Sequence, residues 1–174
     1  FTPAGVRAQA TVLNYFSQAD SSGDNALHLG GSLYFGDHRS QFSTTTLTNA
    51  QVLALSTTPV TLVSAPGSGY YIDVIGATVT FDYTGAYSGG SNLQLYWGSR
   101  ISGNAASAAV TTSGFLTGSA DAITKVTGVP TGTNPSTSSL ALVIQAVAST
   151  AFGGGNASNA VTVVVEYRII KTGL

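Results

Sequence analysis

Between Val161 and Ile169, apolar side chains stand at every second position, Val161, Val163, Val165, Tyr167 and Ile169, with Thr162, Val164, Glu166 and Arg168 between them. A period of two sends the two sets to opposite faces of an extended chain, so this stretch reads as a β-strand with one face buried. The same rule places Ala77, Val79, Phe81 and Tyr83 on one face and Thr78, Thr80 and Asp82 on the other, and Gly76 marks a bulge or bend after Tyr70 to Ile75. Further short apolar runs follow the same rhythm: Gln51 to Leu55, Val60 to Val63, Leu93 to Trp97, Phe115-Leu116, Ile123 to Val126 and Leu140 to Ile144. Turn clusters separate them, among them Ala65-Pro66-Gly67-Ser68-Gly69, Thr84 to Asn92 and Val129-Pro130-Thr131-Gly132. Short strands at this spacing, without helical patterns between them, predict an antiparallel β-sandwich. Leu140 to Ala148 also admits a buried helix, because a continuous apolar run has no diagnostic period. As a strand, it is expected to pair with the Val161–Ile169 strand across the loop from Ser149 to Asn159. The small-residue stretch from Gly98 to Ala109 is expected to pack little.

A chain of 174 residues accommodates one such sandwich with an appended arm. Only 7% of its residues are charged, against roughly 25% in an ordinary globular protein, so Ser, Thr, Asn and Gly must make up the surface. A surface of that kind lacks the charge repulsion that keeps free proteins apart, and it suits a packed assembly. The formal net charge of −1 gives no footprint for a phosphate backbone or an anionic bilayer, so neither nucleic acid nor membrane is expected as a partner. The absence of cysteine excludes disulfides, thiolate catalysis and Cys-based zinc sites. The longest apolar runs, Leu140 to Ala148 and Ala160 to Ile170, are about half the roughly 20 residues of a membrane span. The opening FTPAGVRAQA has no charged start followed by a long apolar run, and is read as mature protein.

The first forty-odd residues lack strict alternation, and the domain boundary is placed between an amino-terminal segment 1–43 and a sandwich 44–174. Val6, Val12, Leu13, Tyr15, Phe16, Tyr34 and Phe35 are the candidate residues of an extended docking arm, the other reading being that they complete the core. A short helix from Val6 to Phe16 is a third possibility, with Pro3 and Gly5 at its start.

Little in the chain points to bond-making chemistry. His28, Asp37, His38 and Arg39 bring both histidines near a carboxylate, as a two-histidine, one-carboxylate metal site would, but their spacing is not diagnostic and they flank a glycine-rich loop. No Gly-x-Ser-x-Gly elbow occurs, and the scattered carboxylates, Asp82 and Glu166 among them on outward strand faces, give no pair recognisable from spacing. Gly67-Ser68-Gly69 and Gly153-Gly154-Gly155-Asn156 lack the Lys-Ser/Thr of a phosphate loop and read as turns. Asn156-Ala157-Ser158 matches a glycosylation acceptor triplet, which matters only in a eukaryotic secretory setting. Tyr70, Tyr71, Tyr83, Tyr87, Tyr96 and Trp97 serve either core and subunit packing or a sugar-stacking face, with Tyr87 and Trp97 as the candidate exposed loop aromatics. The expectation is therefore a protein that is not an enzyme, with no catalytic, cofactor or metal residues.

From Leu47 to Ile170 the chain resembles tailed-bacteriophage structural proteins of the head-decoration (capsid cement) or tail-accessory type. The features that carry the resemblance are the opening LTNAQVLALSTTPVTLV, the turn APGSG followed by YYIDVIGATVTFDY, the middle NLQLYWG and the closing VTVVVEYRII. It implies a jelly-roll-like sandwich, often trimeric, seated on the major capsid protein lattice at the outer capsid surface of the virion, without catalytic residues. The alternative it leaves open is a tail or fibre module that recognises host surface glycans. On the cement reading, deletion of everything before Leu47 is expected to leave the sandwich folded while removing capsid binding.

Overall fold

The computed structural model describes residues 40–100, 104–129 and 139–172. Among these residues the chain forms β1 (Gln41–Thr48), α1 (Asn49–Ala54), β2 (Val60–Val63), β3 (Tyr70–Asp82), β4 (Tyr87–Gly89), β5 (Leu93–Trp97), β6 (Ala122–Thr127), β7 (Leu142–Ala146), β8 (Phe152–Gly154) and β9 (Ala160–Lys171). Four strands make one sheet in the order β1-β9-β3-β6, three make a second in the order β2-β7-β5, and β4 pairs with β8. Every strand pairing is antiparallel.

The pairings are nested. The first strand pairs with the last, β2 with β7, and β3 with β6, while β5 bridges back to the stretch 104–110 through Leu93↔Val110 and Tyr96↔Ala105. One long hairpin rolled up on itself has this connectivity, and the β3–β9 and β5–β7 contacts close it into two sheets. That is a jelly-roll sandwich. Tyr70 to Asp82 form one continuous strand, and its register against β9 slips between Val74 and Gly76. The bulge expected at Gly76 is therefore present, and it switches the inward residues from Ile72 and Val74 to Ala77, Val79 and Phe81.

Inward residues of both sheets share one core: Val161, Val163, Val165 and Tyr167 of β9 meet Leu93, Leu95 and Trp97 of β5 and Leu142, Ile144 and Ala146 of β7, among others. Burying a Val, Leu or Ile side chain contributes about 1.5–3 kcal/mol before conformational entropy is charged against it. Trp97 ties the sheets together, its indole Nε1–H donating to the Ile72 carbonyl at 2.7 Å. β7 is buried along its whole length, which explains why it reads as a continuous apolar run.

Several sequence expectations are corrected. Gln51 to Leu55 lie in and just after α1 instead of in a strand, because Thr48 and Gln51 form a capping box: Thr48 Oγ1 accepts from the Gln51 N–H, and Gln51 Oε1 accepts from the Thr48 N–H at 2.9 Å. Val52 and Leu55, three residues apart, face the core. β7 and β9 are not neighbours but belong to different sheets. Phe115 and Leu116 sit in a turn, with both N–H groups donating to the Thr112 carbonyl. Ala106 and Ser107 are fully buried, so the stretch expected to pack little contributes to the interior. The stretches 84–92 and 149–159 hold β4 and β8, whose rings lie over glycines of the partner segment, Phe152 over Gly90 and Tyr87 over Gly155.

Asn159 fastens these two stretches together. Its buried side chain accepts from the Thr84 N–H and hydroxyl, each at 2.8 Å, and from the Gly85 N–H at 3.0 Å, and it donates to the Gly85 carbonyl at 2.7 Å. Asn159→Ala strands two backbone donors and one acceptor, and should cost about 2–3 kcal/mol in urea unfolding with an unchanged m-value. A loss under about 0.5 kcal/mol would mean that water replaces the amide without penalty.

Candidate interaction face

While its inner side chains fill the core, the four-stranded sheet presents an outer face whose composition follows from alternation. Register places three rows across it: Phe42–Glu166–Gly76–Thr127, Thr44–Val164–Thr78–Lys125 and Thr46–Thr162–Thr80–Ile123. Half of these positions are threonine, a β-branched residue suited to a pleated surface, and one pair of hydroxyls is bonded across the strands, Thr46 Oγ1 lying 3.0 Å from Thr162 Oγ1. Two large apolar side chains break the pattern, Phe42 at 67% exposure on the edge strand β1 and Ile123 at 66% on the opposite edge strand β6. Between them, the missing side chain of Gly76 opens a shallow depression of about 320 Å³, lined by Phe42, Ile75, Thr78, Lys125, Val164 and Glu166 among others.

Charge is sorted onto this sheet. Asp73, Asp82, Lys125, Glu166, Arg168 and Lys171 lie on β3, β6 and β9, and the other charged side chains among the described residues are Asp121, next to β6, and Arg100. Asp73 and Arg168 form an ion pair at 3.0 Å, about one-third exposed and so of little consequence for stability. Burial raises the pKa of the Tyr71 phenol beside them; the Asp73 carboxylate adds to that effect and the Arg168 guanidinium opposes it. No group of three His, Cys, Asp or Glu side chains gathers among the described residues, and none of their helices is long and apolar enough to cross a membrane.

The candidate arm residues Val6, Val12, Leu13, Tyr15, Phe16, Tyr34 and Phe35 lie outside the described residues, as do His28, Asp37, His38 and Arg39. Tyr87 and Trp97 are not exposed loop aromatics. Tyr87 is in β4, 2% exposed, with its ring centroid 5.7 Å from that of Phe81 and 6.4 Å from that of Phe152. Burial raises its phenol pKa, with the Asn159 side chain working in the other direction. Trp97 ends β5 at 6% exposure with its N–H committed to Ile72. Tyr96 is buried too, Tyr71 and Tyr83 are half-buried, and only Tyr70 of the six rings considered for sugar stacking is exposed. Sequence reasoning missed Phe42 and Ile123. Phe42 lies in the segment 1–43 assigned to the arm, and Ile123 reads from the sequence only as the start of a short apolar strand. Lys125 two residues on was the available signal that Ile123 shares an exposed face.

No protein-family profile matches the sequence. No curated protein matches it either. Among solved structures, a chain of the cyanophage Pam1 capsid asymmetric unit superimposes with a TM-score of 0.44 at 18% identity, over 82% of this chain and 92% of that one. A likeness of this size defines neither the fold nor the role of this chain; the fold rests on the strand registers.

Proposed function

We propose that the chain is a structural protein of a tailed-bacteriophage particle, a head-decoration or cement protein that binds the major capsid protein lattice at the outer capsid surface. The amino-terminal segment 1–43 is its docking arm, the jelly roll its body, and the assembled form a homo-oligomer. One observation carries this reading: large apolar side chains, Phe42 and Ile123, stand exposed on a hydroxyl-rich face of a chain with only 7% charged residues. The two apolar side chains gain from burial, as in contacts repeated over a lattice. The resemblance from Leu47 to Ile170 to tailed-phage structural proteins of the head-decoration or tail-accessory type points the same way. The alternative tail or fibre module loses the two rings named for glycan stacking, since Tyr87 and Trp97 are interior.

The test is to add the purified chain to capsids that lack it, and to count bound copies and follow capsid melting. A cement protein saturates at hundreds of copies per particle and raises the melting temperature. Saturation at a few to tens of copies, or binding to host cells instead of capsids, would defeat the reading.

A further inference from the structure

We propose that a second copy of this chain docks face to face on the outer surface of the β1-β9-β3-β6 sheet, across a two-fold axis that passes over β3 between Gly76 and Thr78. The inference names an occupant for the face that carries the capsid reading, so a second copy and the capsid compete for Phe42 and Ile123; the pairing is read on isolated protein, and its failure leaves the capsid test standing.

The argument rests on the rows of the sheet. Lys125 stands two strands to one side of Glu166 and one row along, so the two opposite charges are roughly 10 Å apart sideways and 7 Å lengthwise. Their midpoint lies on β3 between Gly76 and Thr78, where the depression is and where Gly76 has no side chain to hold a partner away. A two-fold axis in the plane of the interface through that midpoint, at right angles to the line joining the charges, lays Lys125 of each copy on Glu166 of the other. The same operation carries Phe42 to within about 3 Å of the position of Ile123, and Thr44 onto Thr80, on a flat grid of about 4.8 Å between strands and 6.8 Å between rows.

The two most exposed large apolar side chains among the described residues thus cover each other under the operation that brings these two charges together. Once Lys125 is matched with Glu166 the axis is fixed, and the apolar pair is its consequence. Reciprocal contact of this kind is what an isologous interface requires. The strands of the two copies cross at roughly 70°, nearer the orthogonal than the aligned class of sheet packing. At that crossing two faces each about 19 Å wide overlap over roughly 380 Å² per copy, on the order of 800 Å² for the pair, which is the size of a weak, concentration-dependent contact.

Sedimentation equilibrium of the full chain tests the pairing, with circular dichroism confirming that each variant is folded; the altered side chains are on the outer face, which protects the core. Phe42→Asp is expected to raise the dimer dissociation constant by about a hundredfold. Lys125→Glu and Glu166→Lys alone should each raise it about tenfold, and together bring it back to within about threefold of the original. A chain that stays monomeric at every concentration overturns the proposal. So does a dimer or trimer indifferent to Phe42→Asp, or a double charge exchange that fails to restore the loss.

Discussion

A chain that begins at Leu47 should fail to reach the native state, whereas one that begins at Ser40 should melt within a few degrees of the intact protein. The difference is β1, which runs from Gln41 to Thr48 and matches β9 residue for residue from Gln41↔Tyr167 to Thr48↔Ala160. A cut at Leu47 leaves two residues of it. β9 then becomes an edge, and its freed N–H and C=O groups can pair with another chain. The cut also removes the Ser43 hydroxyl that donates to the Leu62 carbonyl at 2.6 Å, a tie between the two sheets. Ladder hydrogen bonds at about 1 kcal/mol each, with the side-chain cover over β9, bring the loss to the order of 5 kcal/mol, comparable to the whole stability of a small domain. Far-UV circular dichroism and gel filtration separate the outcomes: the longer chain stays folded and the shorter one aggregates. A cooperative melt from the Leu47 chain would show that the edge strand is dispensable. The Ser40 chain is then the right reagent for the docking arm, and capsid occupancy equal to that of the full protein would remove the arm from the proposed function.

The boundary expected from the sequence fell three residues late for a physical reason. Gln41 to Thr48 read QFSTTTLT, and β1 carries Ser and Thr on both faces, so alternation that is obvious in the valines of β9 is invisible there. Ser43 and Thr45 face inward because register with Val165 and Val163 leaves them no other side, and pairing of this range is not written in a local pattern. The jelly-roll order is likewise not local. β7 and β9 are successive long runs, yet they lie in different sheets, because periodicity reports which side chains share a face and says nothing of which strand lies alongside. α1 was legible, since Thr48 and Gln51 at spacing three before Val52 are a helix start, but the apolar Val52-Leu53 pair masked it. The interaction face was the least legible part. Tyr87 and Phe152 sit among glycines, a setting that reads as an exposed loop, whereas Gly155 and Gly90 are there because the rings occupy the space a side chain would need. Phe42 is the converse, an aromatic among threonines left facing outward.

Gly128→Ala should cost at least about 4 kcal/mol, more than ordinary overpacking, since the atom added has nowhere to go. A Cβ built on Gly128 overlaps the Val74 carbonyl oxygen and lies 2.8 Å from the Val74 carbonyl carbon. Both are backbone atoms, so no rotamer change relieves them. The Gly128 N–H donates to the Ile75 carbonyl at 3.0 Å, which pins the glycine against the bulge of β3. On its other side Gly128 bridges Ser107, and the flanking bonds from Ala108 N–H to Thr127 and from Val129 N–H to Ala106 hold that strip in place. Relief therefore means breaking one of these bonds or flattening the bulge, and the bulge is what turns Ala77, Val79 and Phe81 inward after Ile72 and Val74. Gly114→Ala is the control. Its φ of +75° carries the left-handed penalty, but no atom lies within 4 Å of the added carbon, and a loss of about 1–2 kcal/mol is expected. Urea unfolding of the two variants beside the parent decides the matter, and equal losses would show that backbone conformation alone accounts for Gly128. Because β6 takes its register on β3 from this end, any Gly128→Ala protein that does fold should also misplace Lys125 and Ile123, and should pair with itself more weakly than its folded fraction predicts.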